Sequence, residues 1–129
     1  MTEISDLRRL FCDNFYFGCE ADDRTLSVAF NRRLNPAGGT LKPMFGSDIG
    51  HWYVMDAASI LSEAYSLVEG ELITANDFRA LTLTNPMSLH LRNNAAYFTG
   101  TSVEAAANEW LAENKLARGE RTERSSLVT

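Results

Sequence analysis

The chain has 129 residues, 45% of them hydrophobic and 22% charged, a composition suited to one domain with a real core. Its formal net charge of -5, with no basic stripe interleaved with aromatics, argues against nucleic acid or an anionic membrane surface as partner. No apolar run nears the ~20 residues of a membrane span, and the polar start Met1-Thr2-Glu3-Ile4-Ser5-Asp6 lacks the basic and apolar segments of a secretory signal, so a cytoplasmic location is expected.

Residues 2–12 read as a short helix, with Thr2 or Ser5 near its start and Leu7, Leu10 and Phe11 on one side. Asn14 to Glu20 is rich in aromatics and reads as a buried strand ending in the carboxylates Glu20, Asp22 and Asp23. Cys12 and Cys19 match no zinc or redox spacing and read as reduced, small buried hydrophobes. Residues 23–33 carry Leu26, Ala29, Phe30 and Arg33 at helical spacing, and Asn35-Pro36-Ala37-Gly38-Gly39 is a loop by its turn chemistry. A second short strand over 43–47 stops abruptly at Asp48-Ile49-Gly50-His51-Trp52.

Asp56 is a plausible N-cap for a helix over 57–69, with Ala57, Ile60, Leu61, Ala64, Leu67 and Val68 as its apolar stripe and Gly70 as its stop. Thr74-Ala75-Asn76-Asp77 is a capping box, with Asp in place of Glu, opening a helix through about Leu81. Asn85-Pro86 predicts a third, with Asn as cap and Pro at the first helical position, carrying Met87, Leu89, His90 and Leu91. Residues 93–100 are irregular. Thr101-Ser102-Val103-Glu104 is a capping box before an Ala-rich helix to about Ala117, and residues 118–129 have the composition of a disordered tail. The expected division is therefore 1–101, a C-terminal helix over 102–117, and the tail.

Strand, helix, strand is the unit of a parallel sheet, and such sheets carry their chemistry at the C-terminal strand ends. Asp48 either binds a metal and handles a proton there, or caps its own turn. His51 is either a ligand, proton carrier or hydrogen-bond donor, or a loop histidine packed against Trp52. Glu20 would face the same end of the sheet, while Asp22 and Asp23 also suit the start of a helix. Trp52 and Tyr53 either wall a pocket or belong to the core. His90 and Trp110 read as structural. No His-x-His, His-Glu-x-x-His, glycine-rich phosphate loop or Gly-x-Ser-x-Gly is present.

The run Gly46-Ser47-Asp48-Ile49-Gly50-His51-Trp52, with Leu72-Ile73-Thr74, Thr84-Asn85-Pro86 and Leu89-His90, resembles the C-terminal part of the amidohydrolase-related, metal-dependent hydrolases. The resemblance extends upstream through Asn14 to Glu20 and downstream to Thr101, and covers roughly residues 5–104. It implies an α/β chain forming the last two strands of a (β/α)8 TIM barrel with their helices, followed by a helical extension. It also implies that Asp48 is the metal-binding, proton-handling aspartate, with His51 at the mouth of the site; the residues themselves suggest Glu20 and Trp52 for the substrate side. The implied cofactor is a divalent metal, most commonly zinc, activating water for attack on an amide or ester-like carbon of a small molecule; some relatives decarboxylate instead.

This chain departs from the family pattern at Tyr53, Met55 and Ser88, where relatives usually have Asp, Pro and Arg. It also lacks the histidine ligands of earlier strands, and a whole barrel needs ~250 residues. The expectation is a chain inactive by itself. Two other expectations come from the residues. One is a non-catalytic module that oligomerises or docks through the helix carrying Val103, Ala106, Trp110, Leu111 and Leu116. The other is a small enzyme using Asp48 and His51 as an acid/base pair.

Overall fold

The structure, a computed structural model, describes residues 3–114. Thr2, Leu116, the end of the last predicted helix and the predicted tail lie outside the described residues, as do the side chains of Ser5 and Leu7. The chain divides after Pro86 into two compact units, earlier than the boundary at 101 that the sequence suggests.

In the first unit, strands β1 (Phe17–Cys19) and β2 (Pro43–Phe45) pair in parallel, Phe17 opposite Pro43 and Cys19 opposite Phe45. The Phe17 N–H donates to the Lys42 carbonyl at 3.1 Å and the Gly46 N–H to the Cys19 carbonyl at 2.8 Å. The aromatic run over 14–20 thus yields a strand of three residues. Proline has no N–H to offer a ladder and suits an outer edge. At Pro43 the outward carbonyl is taken as well, accepting from Asn85 Nδ2 at 2.7 Å.

Helix α1 (Ile4–Phe11) precedes β1. Asn14 Nδ2 closes its end, donating to the Leu10 carbonyl at 2.9 Å and the Arg9 carbonyl at 3.1 Å. Phe11 ties the helix to the strand, its ring centroid 5.4 Å from that of Phe17 and 5.5 Å from that of Phe15. The crossover helix α2 (Leu26–Phe30) is half the predicted length. Side chains that bond locally cut it at both ends. Asp23 Oδ1 accepts from the Thr25 N–H at 2.9 Å and the Thr25 hydroxyl at 2.6 Å, and Asn31 Oδ1 accepts from the Arg33 N–H at 2.9 Å. Arg33 therefore falls beyond the helix.

Helix α3 (Ile60–Glu69) follows a turn over 57–59, where Asp56 Oδ1 accepts from the Ala58 N–H at 2.9 Å. Asp56 thus caps the turn before the helix instead of the helix. Gly70 ends α3 with φ at -81°, and the left-handed residue is Glu71, at φ +56°. Glycine serves at 70 because a Cβ there would meet the Ser66 carbonyl at 3.2 Å.

The Thr74 capping box forms in full and opens α4 (Ala75–Arg79), with Asp77 N–H on Thr74 Oγ1 and Thr74 N–H on Asp77 Oδ2. The helix then widens into a π-turn over Ala80–Thr84 and runs on as α5 (Asn85–Asn93). Pro86 lacks the N–H a regular turn would use and its ring would crowd the preceding turn, which a widened turn relieves. The predicted break at Asn85 is absent, and Asn85 is a helical residue at φ -69°, ψ -47° whose N–H bonds the Ala80 carbonyl. Leu26, Leu67, Ile73 and Leu81 form the buried centre of this unit, with Cys19, Phe30 and Phe45 against it.

The second unit has its own core of Leu91, Ala107 and Trp110, with Met87, Phe98 and Leu111 packed against it. Its last described helix is α6 (Glu104–Glu113). The predicted capping box here is rearranged: Glu104 Oε2 accepts from the Gly100 N–H at 2.9 Å, while the Thr101 hydroxyl donates to the Phe98 carbonyl at 2.7 Å. Among the described residues no helix is long and apolar enough to cross a membrane.

Candidate functional site

Past the end of β2, Gly46 and Ser47 carry the chain to Asp48, which takes a left-handed backbone at φ +51°. Aspartate is one of the few side chains that tolerates this region. Two turns follow, His51 N–H to the Asp48 carbonyl at 3.0 Å and Val54 N–H to the His51 carbonyl at 3.1 Å. Gly50, at φ +103°, supplies the conformation the first turn needs. Together they fold the loop back until the Tyr53 hydroxyl donates to Asp48 Oδ2.

Glu20 arrives from the matching tip of β1. The two tips and the returning loop enclose a cleft of about 240 Å³, lined by Glu20, Asp22, Ser47, Asp48, Tyr53 and Asp56 together with Met55 and the exposed α3 residue Glu63. The cleft is strongly acidic. The Asp48 carboxylate, by accepting the phenol's hydrogen, pushes the Tyr53 pKa above the usual phenol range; desolvation and then Glu20 add to the shift. Tyr53 is therefore a neutral donor at physiological pH.

The sequence singles out four residues, and the structure brings two of them together. Glu20 and Asp48 line one cleft. His51 and Trp52 lie outside its lining, next to Tyr53. The His51 ring sits 4.9 Å from the Tyr53 ring, and Trp52, 84% exposed, meets Tyr53 edge-on at 5.7 Å. Among the described residues no hydrogen bond joins the His51 ring to Asp48, so the two do not form an acid/base pair in this arrangement. Ile49 and Met55 flank the same loop and are 60% and 90% exposed.

Glu63 joins the site without a sequence signal of its own, and Tyr53 joins it in a role the sequence does not give. Tyr53 reads from the sequence as a pocket wall or core aromatic, and only the two consecutive turns bring its hydroxyl back to Asp48. In the second unit His90 stacks on Tyr97 at 4.3 Å and Trp110 is buried, which gives both a packing role. Cys12 and Cys19 are free thiols. Cys19 lies against the first core, and burial, with the Asp23 charge adding to it, pushes its thiol pKa up.

The described residues do not fit the metal centre that the resemblance implies. No three His, Cys, Asp or Glu side chains among them are arranged to hold an ion, and one oxygen of Asp48 already accepts the Tyr53 phenol. What the cleft offers is carboxylate acceptors and one phenolic donor. Comparison with protein-family models, with curated proteins and with solved structures finds no match for this chain.

Proposed function

We propose that this chain is the C-terminal portion of an amidohydrolase-related, metal-dependent hydrolase acting on an amide or ester-like carbon, and that it is inactive by itself. One observation carries the reading: two parallel strands joined through a helix deliver Glu20 and Asp48 from their C-terminal tips into one cleft. In this reading Asp48 belongs to a metal centre, zinc in the simplest case, whose other ligands come from sequence beyond this chain. In the same reading His51 and Trp52, outside the lining of the cleft in this chain, serve the mouth and the small-molecule substrate side only once the further sequence completes the site. The test is an assay of the purified chain with equimolar zinc against simple amides and esters. No turnover is expected. Robust hydrolysis abolished by Asp48→Asn would overturn the claim that the chain is incomplete. A His-x-His after a strand pattern in the coding sequence immediately upstream would support the family assignment.

A second reading, a non-catalytic module that docks or self-associates, is favoured by the exposed Ile49, Trp52 and Met55. The surface it would use is this loop or the exposed side of α6 with Val103 and Ala106, since Ala107 and Trp110 are buried in the second core. A metal-free, monodisperse homodimer that loses its partner on Trp52→Ala would favour it.

A further inference from the structure

The metal centre expected at Asp48 and the contact found there disagree, and the side chain that makes that contact is Tyr53. A metal-binding carboxylate must present its oxygens to the cation. Here Oδ2 of Asp48 is engaged by the Tyr53 hydroxyl. Glu20, the carboxylate from the other strand tip, lines the same cleft. The phenol thus brings a hydrogen, without a charge, to the Asp48 oxygen that a cation would otherwise use.

The contact is held from several sides. Asp48 keeps a left-handed backbone, a region aspartate tolerates better than most side chains. The turns closed by His51 and Val54 set the distance between residues 48 and 53. The rings of His51 and Trp52 pack on Tyr53 from outside the cleft.

We infer that Tyr53 is a positioning residue that holds Asp48 as a hydrogen-bond acceptor while this chain stands alone, its phenol competing with a divalent ion for that carboxylate oxygen. The inference stands on the geometry of this chain, and its test is made on this chain alone, so its outcome is separate from that of the hydrolase reading. The probe is Mn2+ alone, with binding measured by calorimetry on wild type, Tyr53→Phe and the double variant Tyr53→Phe/Asp48→Asn. Removing the hydroxyl frees one charged acceptor, and for an exposed pair the expected gain in Mn2+ affinity is about fivefold. The gain disappears when Asp48→Asn is added. Equal affinity of wild type and Tyr53→Phe, or a gain that survives Asp48→Asn, overturns the inference.

A second measurement keeps the test open if Tyr53→Phe fails to fold. Asn tolerates the left-handed region, so Asp48→Asn keeps the local backbone. The ultraviolet resonance Raman difference between wild type and Asp48→Asn should show one tyrosine losing a strong hydrogen-bond donor signature. A flat difference spectrum contradicts the contact.

Discussion

Asp48 and Glu71 both hold a left-handed backbone, at φ +51° and +56°, and the two residues use it differently. At Asp48 the conformation turns the carboxylate into the cleft where Tyr53 reaches it. At Glu71 it only follows the end of α3, and the side chain is exposed. A left-handed L-residue costs roughly 1–2 kcal/mol, against which glycine adds a loss of unfolded-state entropy of about 0.4–1 kcal/mol. Glu71→Gly should therefore stabilise the chain by about 0.5 kcal/mol in urea unfolding; a loss of stability would show that Glu71 does more than end the helix. Cys19 supplies a pH dependence. Its folded-state pKa is raised, so the neutral thiol's contribution is fully present below the ordinary thiol value and fades as pH rises above about 8.5. Thermal unfolding across that range should show a fall that Cys19→Ala reduces. At this scale the sequence makes Asp48 and Glu20 legible, because a strand tip ending in carboxylates is a local pattern. Tyr53 is not legible, since its role depends on two successive turns and not on its neighbours' types.

Elements whose signals are local and redundant formed where the pattern predicts them. The stripe of α3 buries Ala64 and Leu67, and the Thr74–Asp77 box closes in both directions. The failures come from competition. Asp23, Asn31 and Asp56 are good caps by type, but each bonds a nearby turn and shortens or delays its helix. Asn85-Pro86 carries the signature of a helix start, yet the π-turn absorbs the proline and frees Asn85 to hold the β2 edge. That gives a direct test. Pro43 is buried, and Asn85→Ala leaves its carbonyl without the Nδ2 donor. The expected loss is about 1–3 kcal/mol of stability by urea unfolding. A change near zero would mean the contact contributes nothing net and β2 is held by its packing on Leu81 and its neighbours.

Each unit has its own small core, and the first carries a sheet of only two described strands whose tip loop leaves Ile49, Trp52 and Met55 exposed. Two parallel strands cover little of each other, and parallel sheets are normally buried on both faces. This is the physical ground for reading the chain as part of a larger assembly, and the Glu20–Asp48 cleft is the ground for reading that assembly as a hydrolase. The most direct measurement is zinc per chain after size exclusion, for the chain alone and for the chain produced with the coding sequence immediately upstream. The account predicts no stoichiometric zinc alone, and about one zinc per chain in the completed protein, lost with Asp48→Ala. A completed protein that binds no metal, or one that keeps its zinc without Asp48, would contradict it.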